Sequence, residues 1–134
     1  MIKINVLVLC CLAGLAYSQT QNYSKAPNSY IYDLELAKSH NYGGIEIPVK
    51  KAYEMWANYE YLKTNGSATP IPQGIQTASL YWEDVPGLIE NVTIVPGENS
   101  SSSKIKVEVK KAKGKGNAVV AFKVDGTIYW SWHI

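Results

Sequence analysis

For most of its length this chain alternates apolar and polar residues in short runs separated by glycine and proline. The cleanest run is Lys104 to Lys110. Ile105, Val107 and Val109 fall on one side of an extended backbone, and Lys104, Lys106, Glu108 and Lys110 on the other. That is the two-residue period of a half-buried strand. Thr77 to Glu83 alternates in the same way, with Ala78, Leu80 and Trp82 against Thr77, Ser79 and Tyr81. Gly43-Gly44 opens a third such run, Ile45 to Lys50. Pro48 inside it predicts an edge strand or a bulge, because proline cannot donate to a ladder. Leu88 to Val95 is a β-branched run between turn signals, and Tyr30 to Leu36 alternates more loosely and reads as a first strand.

The last hairpin is the best-defined unit. Ala118 to Val124 and Thr127 to His133 flank Asp125-Gly126, a pair that favours the tight type I′ turn. An unbroken ladder from that turn sets Phe122 against Tyr129 and Val120 against Ser131. On the opposite face it sets Ala121 against Trp130 and Val119 against Trp132, small residues beside indoles. Both faces are apolar, which predicts a position between a core and a covering layer. One stretch departs from the strand period: Ala52, Met55, Trp56, Tyr59 and Leu62 share a helical face. It reads as a short helix near residues 52–63, with an irregular aromatic strand as the alternative. Together these elements predict a mostly β fold, a single Ig-like β-sandwich of about seven strands.

The amino terminus changes the picture. Lys3 precedes an apolar run from Val6 to Ala16, and Ala16-Tyr17-Ser18 has the small-residue pattern of a signal-peptidase site. The run is far shorter than the roughly 20 residues a membrane helix needs. Residues 1–18 are therefore expected to be a secretory signal peptide cleaved after Ser18, residues 19–27 an exposed leader, and residues 28–134 the β-sandwich domain. The product would be secreted, periplasmic or at the cell surface, with no transmembrane span in the mature chain. Cys10 and Cys11 leave with the signal, so no disulfide, thiol nucleophile or cysteine metal site remains. Of 13 basic residues Lys3 also leaves, and 12 then face 11 acids. No arginine occurs. The bidentate fork that reads phosphates and base edges is thus missing, which argues against a nucleic-acid partner.

Several blocks in this order carry a resemblance. They are Asn28-Ser29-Tyr30-Ile31, Gly43-Gly44-Ile45-Glu46-Ile47-Pro48-Val49, Lys51-Ala52-Tyr53 with Trp56, Gly116-Asn117-Ala118-Val119-Val120, and Trp130-Ser131-Trp132-His133-Ile134. Together they resemble a repeat-like β module of large secreted or surface proteins of Bacteroidetes, and the Trp-Ser-Trp-His-Ile block is the most specific part. The resemblance implies a non-catalytic, immunoglobulin-like sandwich with no assigned activity. Similar chains continue past this block, so the partners it implies include downstream domains of a longer chain as well as other surface proteins.

Chemistry-bearing residues are sparse. Two histidines, His40 and His133, could pair with Ser39 or Ser131, yet no Gly-x-Ser-x-Gly elbow is present. Ser131 and His133 share a strand face by period alone. Glu83 and Asp84 are adjacent, so on a strand they point apart and cannot jointly hold a metal. No enzyme, metal site or cofactor is expected. Lys104, Lys106, Lys110, Lys111, Lys113 and Lys115 cluster. They read either as a surface for anionic groups or as a solvated strand face that discourages edge pairing. Sequons occur at Asn22, Asn65, Asn91 and Asn99, acceptors only in a host that modifies them. All four tryptophans lie in the mature chain. The surplus of aromatic rings suggests a platform of Tyr81, Trp82, Trp130 and Trp132 on which sugar faces could stack. The competing reading puts the indoles in the core. The expected function is a structural, adhesive or spacer module, with carbohydrate binding through exposed Tyr and Trp faces as the alternative and glycans as its partners.

Overall fold

The computed structural model describes residues 22–58, 62 and 69–134. The signal-peptide reading and Asn65 lie outside them. Six strands form two three-stranded antiparallel sheets. The strands are β1 (Gly44–Pro48), β2 (Gln76–Glu83), β3 (Ile89–Val95), β4 (Lys104–Val109), β5 (Ala118–Val124) and β6 (Thr127–His133). One sheet has the order β1-β4-β3 and the other β2-β5-β6. β2 lies against β3 with no ladder between them, so the chain changes sheet at that corner.

Ile47, Ile105 and Val107 from one sheet meet Val120, Phe122 and Trp132 from the other in a single buried cluster. This is the sandwich-like arrangement that the alternating pattern predicts, with every inward position of β5 buried. Gly44 is required where it stands, because a Cβ there would lie 1.8 Å from the carbonyl oxygen of Val107. Pro48 ends an edge strand, as its missing N–H demands. The turn at Asp125-Gly126 has both φ values positive, 50° and 81°, the type I′ geometry. Asp125 also accepts from the Ile75 amide at 2.9 Å, which ties the turn to the start of β2.

Four expectations are corrected. There are six strands among the described residues, because Tyr30 to Leu36 is not a strand. Ser29 makes one parallel bridge to His133, and the chain then turns into helix α1 (Leu34–Ser39). Asp33 accepts from the Leu36 amide at 2.9 Å, so a capping residue overrides the weak alternation. The second correction is the leader. Asn22–Pro27 is partly docked, with Ser24 buried against helix α2 (Lys50–Asn58). Lys51, a residue 4% exposed, holds it there: its ammonium group donates to the carbonyls of Ser24 and Ala26, both at 2.6 Å. A buried cation needs such acceptors, and they come from the leader.

Third, helix α2 begins earlier than residue 52, and most of the second half of that predicted stretch lies outside the described residues. It packs Ala52 and Met55 into the interior and sets Tyr53 against Phe122. Fourth, the lysines of β4 do not guard an edge, because β4 is the central strand of its sheet. Lys104 pairs with Glu46 at 3.6 Å and Lys106 with Glu108 at 3.4 Å, on the solvent face.

The hairpin register also differs from an unbroken ladder. Val124 faces Thr127 and Lys123 faces Ile128, and then β6 carries one extra residue, Tyr129. Beyond that bulge Phe122 faces Trp130, Val120 faces Trp132 and Val119 faces His133. A shift of one residue moves both indoles to the opposite face. The Tyr129 carbonyl accepts from the Trp56 indole at 2.8 Å, and the two rings meet edge-on at 5.5 Å. Helix α2 thus satisfies the backbone group that the bulge leaves without a ladder partner.

Candidate functional site

The outer face of the β2-β5-β6 sheet collects most of the exposed chemistry. Directly opposite residues share a face, so the register defines its rows. Trp82, Val119 and His133 form one row, Ser79, Ala121 and Ser131 the next, and Thr77, Lys123 and Ile128 the third. The middle row is small and hydroxylated, and Ala121 within it is buried. Trp82 and His133 stand on the two flanking strands, roughly 10 Å apart at the usual strand spacing.

Trp82 reaches this face through a second bulge. β2 pairs without interruption from Gln76–Val124 to Leu80–Val120, and then Trp82 pairs with Val119. Tyr81 is the extra residue. Were Tyr81 paired in an unbroken ladder, Trp82 would face Ala118 and point inward. As it stands Trp82 is 51% exposed and Tyr81 68%.

A polar chain borders the face. Asp84 accepts from the Asn117 backbone amide at 2.7 Å and from its side-chain amide at 2.9 Å. The side-chain oxygen of Asn117 lies 3.1 Å from His133 Nε2. Since Asn117 gives its NH₂ to Asp84, its oxygen can only accept, and that places a proton on Nε2. The same Asn117 donors hold the Asp84 carboxyl below the usual carboxylate range, the backbone amide first. Glu83 is held low in turn by the amides of Ile89 and Gly87, at 3.0 and 2.6 Å. The two neighbouring acids serve different loops and share no ligand.

Of the four predicted platform residues, only Tyr81 and Trp82 lie together at the surface. Trp130 is half-buried; its indole donates to Asn28 at 3.0 Å and its ring faces the Lys51 ammonium at 5.7 Å. Trp132 is 1% exposed, and its Nε1 has no hydrogen-bond partner among the described residues. It belongs to the core. The polar chain from Asp84 to His133 escaped the sequence reading, because it joins residues from three separated segments. The only trace it left was the shared face of Ser131 and His133.

The remaining histidine forms no catalytic arrangement. His40 Nδ1 lies 2.9 Å from Ser39 Oγ and 3.1 Å from the Leu36 carbonyl, and its ring stacks on Tyr42. Ser39 itself donates to the Leu36 carbonyl at 2.9 Å. This is a helix end satisfied locally, with no acid orienting the ring. Among the described residues no three His, Cys, Asp or Glu side chains gather as a metal would need, and no helix is long and apolar enough to cross a membrane. No protein-family model, curated protein or solved structure matches the chain.

Proposed function

We propose that this chain is a secreted or cell-surface, non-catalytic, Ig-like β-sandwich module that acts by contact, as an adhesive or spacer domain. The observation that carries the reading is how its reactive-looking residues are used. Lys51, Trp56, Trp130, Asp84 and Glu83 each hold one part of the fold to another. Those residues are framework, and Lys51, Trp56 and Trp130 come from the very blocks that carry the resemblance to surface modules of Bacteroidetes. The contact surface in this reading is the outer face of β2-β5-β6, led by Tyr81 and Trp82.

A specific observation favours carbohydrate as one partner of that face. An exposed indole shares the outer face with Ser79, Ser131 and His133, the last two on the far side of the central strand. A flat ring that stacks on sugar C–H groups, beside short donors and acceptors, is what a pyranose requires. The test is a glycan microarray probed with the labelled chain and with its Trp82→Ala variant, alongside sedimentation of the chain alone and with candidate surface proteins. Glycan signals that vanish in Trp82→Ala support the carbohydrate reading. Protein association lost in the same variant, with a blank array, supports the adhesive one. Hydrolysis of any arrayed glycan would overturn the non-catalytic assignment.

A further inference from the structure

A cleft of about 700 Å³ opens between the segment Ser29–Lys38 and one end of the sandwich. Small-molecule sites commonly fall in this size range. Leu88, Ile89 and Val109 line the sandwich side, and Tyr30, Ile31 and Tyr32 the other. Partial burial pushes the phenols of Tyr30 and Tyr32 up. Ile31 stands out on that wall. It is 95% exposed, although it borders an apolar cavity. A ligand lying in the cleft would cover it.

The charges at the rim are lopsided. Asp33 is engaged as the cap of α1, and Glu35 pairs with Lys38 at 3.8 Å. On the opposite lip the turn from Lys110 to Lys115 carries four lysines, and none of them has an ion pair among the described residues. Lys115 lines the cleft itself. Of the acids near in sequence to Leu88 and Lys110, Glu83 and Asp84 are occupied by backbone amides, Glu108 pairs with Lys106, and Glu90 is exposed on β3.

We infer that this cleft binds a free alkyl carboxylate, with the hydrocarbon chain against Ile31 and Leu88 and the head group at Lys115. Aliphatic walls suit an alkyl chain better than a sugar, whose hydroxyls would each need a partner. The unpaired lysines suit a single anionic head. The site adjoins the outer face at Asn117 and His133, but it needs neither Tyr81 nor Trp82.

Calorimetric titration of the full chain with dodecanoate below its micellar concentration tests this inference. One-to-one binding is expected, weakened about tenfold by Lys115→Glu and by a similar factor by Ile31→Ser. Dodecyl maltoside, with the same chain and an uncharged head, should bind at least about tenfold more weakly. Both substituted side chains are exposed, and an unchanged near-ultraviolet circular dichroism spectrum would show that the fold survives. Absence of saturable dodecanoate binding overturns the inference, as does equal affinity for the two head groups. Binding only to phosphatidylglycerol vesicles, with none to monomeric dodecanoate, overturns it in favour of a membrane surface.

Discussion

β2 and β6 flank the same central strand, each carries a tyrosine bulge, and the two bulges have opposite consequences. In β6 the extra Tyr129 turns Trp130 and Trp132 from the outer face to the inner one. In β2 the extra Tyr81 turns Trp82 from the inner face to the outer one. Side-chain period is two, so leaving one residue out of the ladder inverts everything beyond it relative to unbroken pairing. Burying an indole removes on the order of 200 Å² from water, which rewards the β6 bulge directly. The β2 bulge earns no such return. It leaves a large ring in solvent, and that asymmetry is the physical reason for placing contact function on β2 and structural function on β6.

Shifting the register beyond the β6 bulge tests the comparison most severely. One alanine inserted between Tyr129 and Trp130 sets Trp130 against Ala121 and Trp132 against Val119, out of the interior. The loss should exceed a stability of the usual order, about 5–15 kcal/mol. Urea titration followed by circular dichroism should then show no cooperative transition. A stable, cooperatively folding insertion variant would mean that this register does not hold the indoles inside.

Single truncations come next. Trp132→Ala empties a fully buried site in the cluster around Val120 and Phe122 and should cost about 3–5 kcal/mol in denaturant unfolding. Trp132→Phe also removes the indole N–H that has no partner among the described residues, so it should cost less than half as much. Trp82→Ala, at the matching place on the other strand, should change stability by less than about 0.5 kcal/mol. Equal losses at Trp132 and Trp82 would erase the distinction between the two strands.

The support of the β6 bulge can be weakened by itself. Trp56→Phe keeps the ring against Tyr129 and removes the N–H that serves the Tyr129 carbonyl. A loss of about 1–2 kcal/mol is expected, and amide exchange should accelerate first in the β6 residues around the bulge.

The contrast between β2 and β6 also marks where the sequence was legible. Alternation located β2, β4, β5 and β6, and a β-branched run located β3, each to within a residue or so, because turn residues bound every run. Asp125-Gly126 fixed the turn, since few other pairs accept positive φ twice. The bulges were not legible, because the signal that produces them is not local. Tyr129 stands out of register through Trp56, which lies 73 residues away in sequence. The pairing of small residues with indoles pointed to the wrong face, since it weighed cross-strand fit and not the burial available beneath. Tyr30 to Leu36 misled for the opposite reason: a local cap at Asp33 settled it as a helix. Of the proposed platform, Tyr81 and Trp82 are both exposed, although alternation set them on opposite faces. The fates of Trp130 and Trp132 followed from the register.

At the junction of β2 with β5 the expected effect is smaller and depends on pH. The folded chain holds the carboxyls of Asp84 and Glu83 below their ordinary values, through the amides of Asn117 and of Ile89 and Gly87. A lowered folded value means that the stabilisation is present above the ordinary carboxylate range. It is lost as the pH falls from there through the lower folded values. Melting temperature should therefore drop between about pH 4 and more acid conditions, and Asp84→Asn should flatten part of that fall. An unchanged acid limb in Asp84→Asn would show that this pairing does not contribute.

The smallest effect is optical, and it addresses the exposed half of the comparison directly. Trp82 is the indole with most of its ring in solvent, whereas Trp132 is enclosed and Trp130 and Trp56 are partly covered. Acrylamide should therefore quench a red-shifted fraction of the fluorescence of the folded chain and leave a blue-shifted remainder. Trp82→Phe should remove the quenchable fraction while unfolding at nearly the same denaturant concentration. Emission that is wholly blue-shifted and protected would put Trp82 inside, and the contact surface on β2 would have to be abandoned. Quenching that persists in Trp82→Phe and in Trp56→Phe would instead expose an indole of β6, and the two bulges would then not differ in the way their registers indicate.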